Sequence, residues 1–144
     1  MQRQVPRDDR PQVKVAVVVR DDLATWQKIN VTAFVVSGLG SQHPALIGKP
    51  YVDGSDVEYL PMFGQPVVVL AGDQARLRRA FSRALARGLQ IAVYTDDLFT
   101  TGNDVDNRAV VRAVATTDLR LAGFAVAGDR REVDKALDRL RLHR

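Results

Sequence analysis

The chain has no cysteine. Disulfides, thiol nucleophiles and thiolate metal sites are therefore excluded, and the cytoplasm is the expected compartment. Histidine is almost as scarce. His43 and His143 stand far apart in the chain, so no zinc-ligand set is spelled out. A serine-hydrolase triad would have only His43 as its central histidine, and no nucleophile-elbow motif accompanies it. Nothing approaches the run of ~18–20 apolar residues that a membrane span needs, so no membrane partner is expected. The opening MQRQVPRDDRPQ lacks the apolar core of a secretory signal and reads as a short disordered leader over residues 1–12. There is no Gly-Lys-Ser or Gly-Lys-Thr phosphate loop. SGLGSQH begins like a dinucleotide fingerprint, but it closes a helix and puts His43 where the third glycine belongs. The expectation is a protein with no cofactor and no metal.

What is present suits one compact domain over residues 13–144. The chain has 144 residues, 46% of them hydrophobic and 26% charged, enough for a single core. Its formal net charge of +4 permits contact with RNA without requiring it.

Val13 to Val19 is a continuous β-branched run, the pattern of a strand covered on both faces. Thr25 is placed to cap a helix from about Trp26 to Ser37. Its apolar set would be Trp26, Ile29, Ala33, Phe34 and Val36, with Gly38 and Gly40 ending it. Residues 41–65 are irregular, with a hairpin expected where YV and VEY flank DGSD. PVVVLA is a second buried strand. Gly72 or Asp73 caps a helix running to Arg87, with Leu77, Ala80, Phe81, Ala84 and Leu85 inward and Gly88 just past its end. LQIAVYT is a third strand, Asp104 opens a helix through Ala115, and LRLAGFAVAG is a fourth strand. The tail has helical spacing at Val133, Ala136, Leu137 and Leu140, although Leu140–Leu142 could equally form an edge strand. Alternating strands and helices predict an α/β fold: three α/β/α layers around a mixed, mostly parallel sheet of four to five strands.

Open α/β sheets bind ligands at the carboxyl ends of their parallel strands. The first strand runs into Arg20, Asp21, Asp22 and the helix bearing Lys28. The third runs into Asp96, Asp97, Thr100 and Thr101. A lysine near carboxylates can polarise a carbonyl, and an aspartate can orient water. The same residues could equally be caps and a surface ion pair, with Trp26 in the core. Asp104-x-Asp106 suits a helix start better than a magnesium site. The arginines of the second helix (76, 78, 79, 83 and 87) read as an outer face whose stems cover apolar surface, or alternatively as a phosphate-backbone contact.

VKVAVVVRDDL, TWQKINVTAF, YTDDLFTTGNDVDNRA, LAGFAVAGD and VDKALDRLRLH together resemble an uncharacterised family known as domain of unknown function 2000. That family is grouped with the type II peptidyl-tRNA hydrolases, which cleave the ester between a peptide and tRNA without a metal. Their helix motif is similar to Lys-Ile-x-x-Gln-x-x-His. Here Lys28 and Ile29 match it, while Thr32 and Val35 occupy the Gln and His positions. The resemblance implies a metal-free hydrolase of a peptidyl-tRNA-like ester or amide. Lys28 would stabilise developing charge, Asp96 would activate water and Thr100 would hydrogen-bond the substrate, with Asp22, Thr32, Asp97 and Thr101 as substrate-binding neighbours. It also implies a homodimer, a short terminal strand and tRNA or another RNA as partner. Thr32 and Val35 motivate the alternative, a scaffold without the chemistry. That scaffold would bind a small molecule or a protein, or would hold RNA through the arginine helix.

Overall fold

The computed structural model describes residues 11–144; positions 1–10, most of the expected leader, lie outside the described residues. Pro11 and Gln12 are tied down. The Pro11 carbonyl accepts hydrogen bonds from the Arg130 Nε and Nη2 at 2.9 and 2.6 Å, and the Gln12 carbonyl accepts from the Arg130 amide at 2.8 Å.

Strand β1 (Val13–Arg20) leads into helix α1 (Thr25–Gln42), which returns to β4 (Val67–Gly72). Between them lies a hairpin of β2 (Tyr51–Val52) and β3 (Glu58–Tyr59). Helix α2 (Gln74–Ala86) carries the chain to β5 (Ile91–Thr95), and a 3-10 turn (Asp96–Thr100) leads into α3 (Asp104–Arg112). Strand β6 (Leu121–Asp129), α4 (Arg130–Ala136) and β7 (Arg141–Leu142) complete the chain. The tail thus uses both expected forms, helix and then edge strand.

The main sheet runs in the order β5-β6-β1-β4-β7. It is mixed, but the expectation of a mostly parallel sheet is wrong. Only β1 and β4 pair in parallel; β1/β6, β5/β6 and β4/β7 are antiparallel. Strands β1, β4 and β5 do point the same way, and β6 slots back between β1 and β5. The continuous apolar run in β6 reflects burial on both faces, and a central antiparallel strand shows that pattern as well as a parallel one does.

Alternating residues serve two cores. Val15, Val17 and Val19 of β1 face α1, whose contribution is Val31, Val35 and Leu39. Ala16 and Val18 face the other way, against Leu77, Ala80, Phe81 and Ala84 of α2 and Val133 and Ala136 of α4. The layers are therefore α1, sheet, and α2 with α4.

Four local expectations need correction. Helix α1 does not stop at Gly38 or Gly40 but continues to Gln42, where Pro44 opens the next turn. A Cβ on Gly38 would lie 3.1 Å from that of Ala92, so this glycine lets the helix lie close over β5. Ala24, not Thr25, is the N-cap, and its amide donates to the Gln27 side chain at 2.9 Å. Trp26 is not core: it is 61% exposed, as Ile29 and Phe34 largely are. Helix α1 is apolar nearly all round, so periodicity could not choose the buried stripe. The caps of α2 and α3 are Asp73 and Asn103, whose side chains accept from the Arg76 and Asp106 amides. Asp104 is therefore the first helical residue rather than a cap.

The hairpin stands off the body. Asp53 pins its turn, accepting from the Ser55 and Val57 amides at 2.8 and 3.1 Å and from the Tyr59 hydroxyl at 2.8 Å. The Tyr59 bond, aided by both amides, holds the Asp53 carboxyl below the ordinary carboxylate range.

Among the glycines the closest approach is at Gly123 of β6. A Cβ there would fall 2.4 Å from the Val18 oxygen and 2.7 Å from Val31 Cγ1. Gly123→Ala is expected to destabilise the protein by roughly 2–3 kcal/mol through overpacking, read by urea unfolding. Gly102→Ala, with open space around it, should change stability by less than about 0.5 kcal/mol. Equal effects would show that α1 is not seated on Gly123.

Candidate functional site

Helix α1 presents three stripes at helical spacing. Val31, Val35 and Leu39 go into the sheet. Trp26, Asn30 and Phe34 border a cleft on the β5 side, and Lys28, Ile29, Thr32 and Ala33 border a groove on the β4 side. The helix thus separates two hollows: of the expected site residues, Thr101 lines the first and Lys28 and Thr32 the second.

At the carboxyl ends of β1 and β5 the dominant feature is Arg20. Its Nη1 reaches across β6 to the Asp96 carboxylate at 2.8 and 3.1 Å and donates to the Leu121 carbonyl at 2.8 Å. Its Nε donates to Asp22 at 2.6 Å. Partial burial works against the charged guanidinium, but the hydrogen bonds and charges of Asp22 and Asp96 outweigh it and hold Arg20 above its ordinary value. The side chains of Arg20 and Asp96 are 11% and 29% exposed, so the pair is sheltered rather than solvated. Asp97 receives Arg120 at 3.1 Å. The Thr100 hydroxyl donates to the Asp97 carbonyl at 2.9 Å, closing the 3-10 turn. Thr101 donates to the Leu98 carbonyl at 3.0 Å and also to the Asn107 side-chain oxygen. Asp22, Asp96, Asp97 and Thr100 are therefore occupied within the fold.

The cleft on the β5 side holds about 500 Å³. A chain of rings forms its wall: Trp26 lies 5.9 Å from Phe99, Phe99 5.0 Å from Tyr94, and Tyr94 5.9 Å from Phe34. Burial pushes the Tyr94 hydroxyl up from its usual value. Asn30, Thr101, Asn103 and Asn107 add polar groups to the lining. Among the described residues, neither the Asn30 amide nor Asn107 Nδ2 has a hydrogen-bond partner. Asp104 at the rim is paired with Arg108. The cleft is thus aromatic, amide-lined and nearly uncharged, and it contains Thr101 but not Lys28, Asp96 or Thr100.

Lys28 lies across the helix, in the groove with Thr32. The Thr32 hydroxyl donates back to the Lys28 carbonyl at 2.8 Å. Sequence reasoning missed the residue that meets the lysine, His143, whose Nε2 lies 3.1 Å from Lys28 Nζ. Strand β7 brings it there, since the His143 amide donates to the Val69 carbonyl of β4 at 2.9 Å. A separation of 115 residues concealed the pair, and only recognition of the terminal edge strand could have placed it.

The arginines of α2 bind within the fold more than an outer solvated face would. Arg78 donates to the Thr117 and Leu119 carbonyls, Arg83 to those of Ala136 and Asp138, and Arg87 pairs with Glu132. Arg76 pairs with the cap residue Asp73. Among the described residues no cluster of three or more His, Asp or Glu side chains is arranged to hold a metal, and no helix is long and apolar enough to cross a membrane.

A family model described as protein of unknown function (DUF2000) matches residues 13–144. A solved structure of a protein of unknown function from Agrobacterium tumefaciens strain C58 is 42% identical to this chain, with a TM-score of 0.90. The match covers 92% of this chain and 98% of that one. No curated protein matches the chain.

Arg20→Met would leave Asp96 and the Leu121 carbonyl without their donor. It is expected to cost about 2–3 kcal/mol in urea unfolding, as for a sheltered charge deprived of its partner. A loss below about 0.5 kcal/mol would mean that Asp96 is solvated and free for chemistry.

Proposed function

The chain belongs to the DUF2000 family of proteins of unknown function, and on that premise we propose that it is a small-molecule-binding protein built on a scaffold like that of the type II peptidyl-tRNA hydrolases. The ligand site is the cleft between α1 and the 96–107 segment. One observation carries this reading: the rings of Trp26, Phe34, Tyr94 and Phe99 line a hollow of about 500 Å³ whose polar groups are mostly side-chain amides, with the Thr101 hydroxyl bonded within the fold and Asp104 paired with Arg108. That volume and lining fit a small organic ligand. Its chemistry follows from the walls. Ring faces favour a flat molecule, the Asn30 and Asn107 amides suit an edge with both donors and acceptors, and the lack of unpaired charge favours a neutral one.

A metal-free hydrolase built on Lys28, Asp96 and Thr100 has less support, because the lysine lies in a groove that neither Asp96 nor Thr100 lines, and Arg20 holds the aspartate. The Lys28–His143 contact favours a second, narrower reading. In it the ammonium would stabilise an oxyanion while the neutral imidazole oriented water, without Asp96. RNA binding through α2 has least support, since Arg76, Arg78, Arg83 and Arg87 are already bonded.

Trp26 is the only tryptophan, so its emission reports the cleft directly. Titration with the neutral heteroaromatics adenine, nicotinamide and lumichrome is expected to give saturable quenching with at least one. That binding should weaken about tenfold or more in Asn107→Ala or Phe99→Ala. Absence of quenching by all three would remove the binding reading as stated. In parallel, release of N-acetylated amino acid from charged tRNA should be no faster than in Lys28→Ala and His143→Ala. A rate that drops about a hundredfold or more in both variants would establish the hydrolase instead.

A further inference from the structure

Strand β5 forms one edge of the main sheet, and among the described residues only β6 pairs with it. Half of its backbone N–H and C=O groups therefore point away from the sheet, and the ladder shows which half. The Asp21 amide donates to the Gly72 carbonyl, which aims the backbone groups of Val19 and Val17 at β4 and those of Val18 and Ala16 at β6. Phe124 and Val126 are their partners across the antiparallel pair, so Gly123 and Ala125 turn to β5 and bond Tyr94 and Ala92. The Asp96 amide donates to the Arg120 carbonyl at 2.9 Å and gives the same phase from the other end. Ile91 and Val93 thus aim their amides and carbonyls outward, and among the described residues no backbone group meets them.

Open edges are ordinarily blunted by charge, proline or a bulge in the edge strand itself. Ile91–Thr95 has no charged residue and no proline, and the register shift beside Tyr94 adds its extra residue to β6. The edge also meets the aromatic cleft. Val93 borders that cleft although its side chain packs into the opposite core, with α2. Its backbone is therefore the part that lines the cleft. Ala92 and Tyr94, whose side chains face α1, flank it.

We propose that the outward N–H and C=O of Val93 read one edge of the cleft's ligand, as a further strand pairing with β5 would be read. The inference rests on the aromatic cleft being the ligand site, and it narrows what that site takes. A donor and an acceptor side by side on one residue require an acceptor and a donor side by side on the ligand, in the plane of its ring. The class is a flat heterocycle with an amide-like edge: a ring carboxamide, a cyclic amide, or an amino group next to a ring nitrogen. An Asn side chain can turn its amide over, whereas a backbone in a ladder cannot, so Val93 fixes the order of donor and acceptor. Trp26 and Phe34, on the β5-side flank of α1, supply ring faces to a molecule held there. A ligand with acceptors alone would leave the Val93 carbonyl unpaired at the cleft wall.

Amide hydrogen exchange followed by two-dimensional NMR tests this on the wild-type protein. In the free protein the Val93 amide should exchange faster than those of Ala92 and Tyr94, which β6 holds. Saturation with whichever of nicotinamide, adenine and lumichrome quenches Trp26 most should slow the Val93 amide about tenfold or more. The Ile91 amide, on the same edge but outside the cleft, should change less than about twofold. Each probe also has a counterpart without its donor: the methyl ketone in place of nicotinamide's carboxamide, purine without adenine's amino group, and doubly N-methylated lumichrome. The counterpart of the bound probe should bind about tenfold or more weakly. Val93→Pro removes the outward N–H and spares the ladder to β6, and it should bring a similar loss for the probe itself. Quenching of Trp26 with unchanged Val93 exchange overturns the inference and leaves the cleft as the ligand site. Equal affinity for probe and counterpart overturns it too. Absence of quenching by all three probes overturns the cleft reading, and this inference with it.

Discussion

The seat of α1 on the sheet is the contact on which the rest of the molecule depends. Val31 enters the space left by the missing side chain of Gly123, and Gly38 brings the helix within contact of Ala92. Those two glycines allow a helix with almost no charge to lie flat across β1, β6 and β5. The helix then has two flanks, and the character of each follows from what lies beneath it. Over β5 the rings of Trp26 and Phe34 meet Tyr94 and Phe99. Over β4 the helix stops short, leaving Lys28, Ile29 and Ala33 above an uncovered strand.

The elements themselves were legible. Continuous β-branched runs located β1 and β4, the α2 spacing picked out Leu77, Ala80, Phe81 and Ala84, and the DGSD turn located the hairpin. Gly88, with φ of +70°, ends α2 where a left-handed residue was expected. Sheet direction was less legible, because burial on both faces produces the same apolar run in β6 as in a parallel strand. The inward face of α1 was misread for a related reason. Trp26, Ile29 and Phe34 are larger than Val31, Val35 and Leu39 and have comparable spacing, yet only the smaller set fits against Gly123 and the valines of β1.

The candidate site was legible only in parts. The prediction that β1 and β5 deliver their ends to one edge holds, but β6 lies between them and Arg20 fills the gap. A carboxylate gripped by a sheltered guanidinium is a structural brace, and nothing in a linear sequence shows that Arg20 and Asp96, 76 residues apart, would find each other. The Lys-Ile start of the hydrolase-like motif is present, but its Gln and His positions hold Thr32 and Val35. Thr32 bonds its own helix and Val35 is buried core, so the helix itself supplies no acid–base partner for Lys28. The imidazole that reaches the lysine comes from the end of the chain. The cleft was invisible because no motif marks it: its amides and rings come from two stretches far apart in the chain, 26–35 and 92–107.

The central claim is that ligand recognition belongs to the aromatic cleft rather than to the lysine groove. Chemical-shift mapping on isotopically labelled protein, with adenine, nicotinamide and lumichrome in turn as the probe, tests it most directly. The account predicts that shifts gather on the Trp26 indole, the Asn30 and Asn107 side-chain amides and the Phe99 backbone. Shifts confined to Lys28, Thr32 and His143, or none with any of the three at saturation, would contradict it.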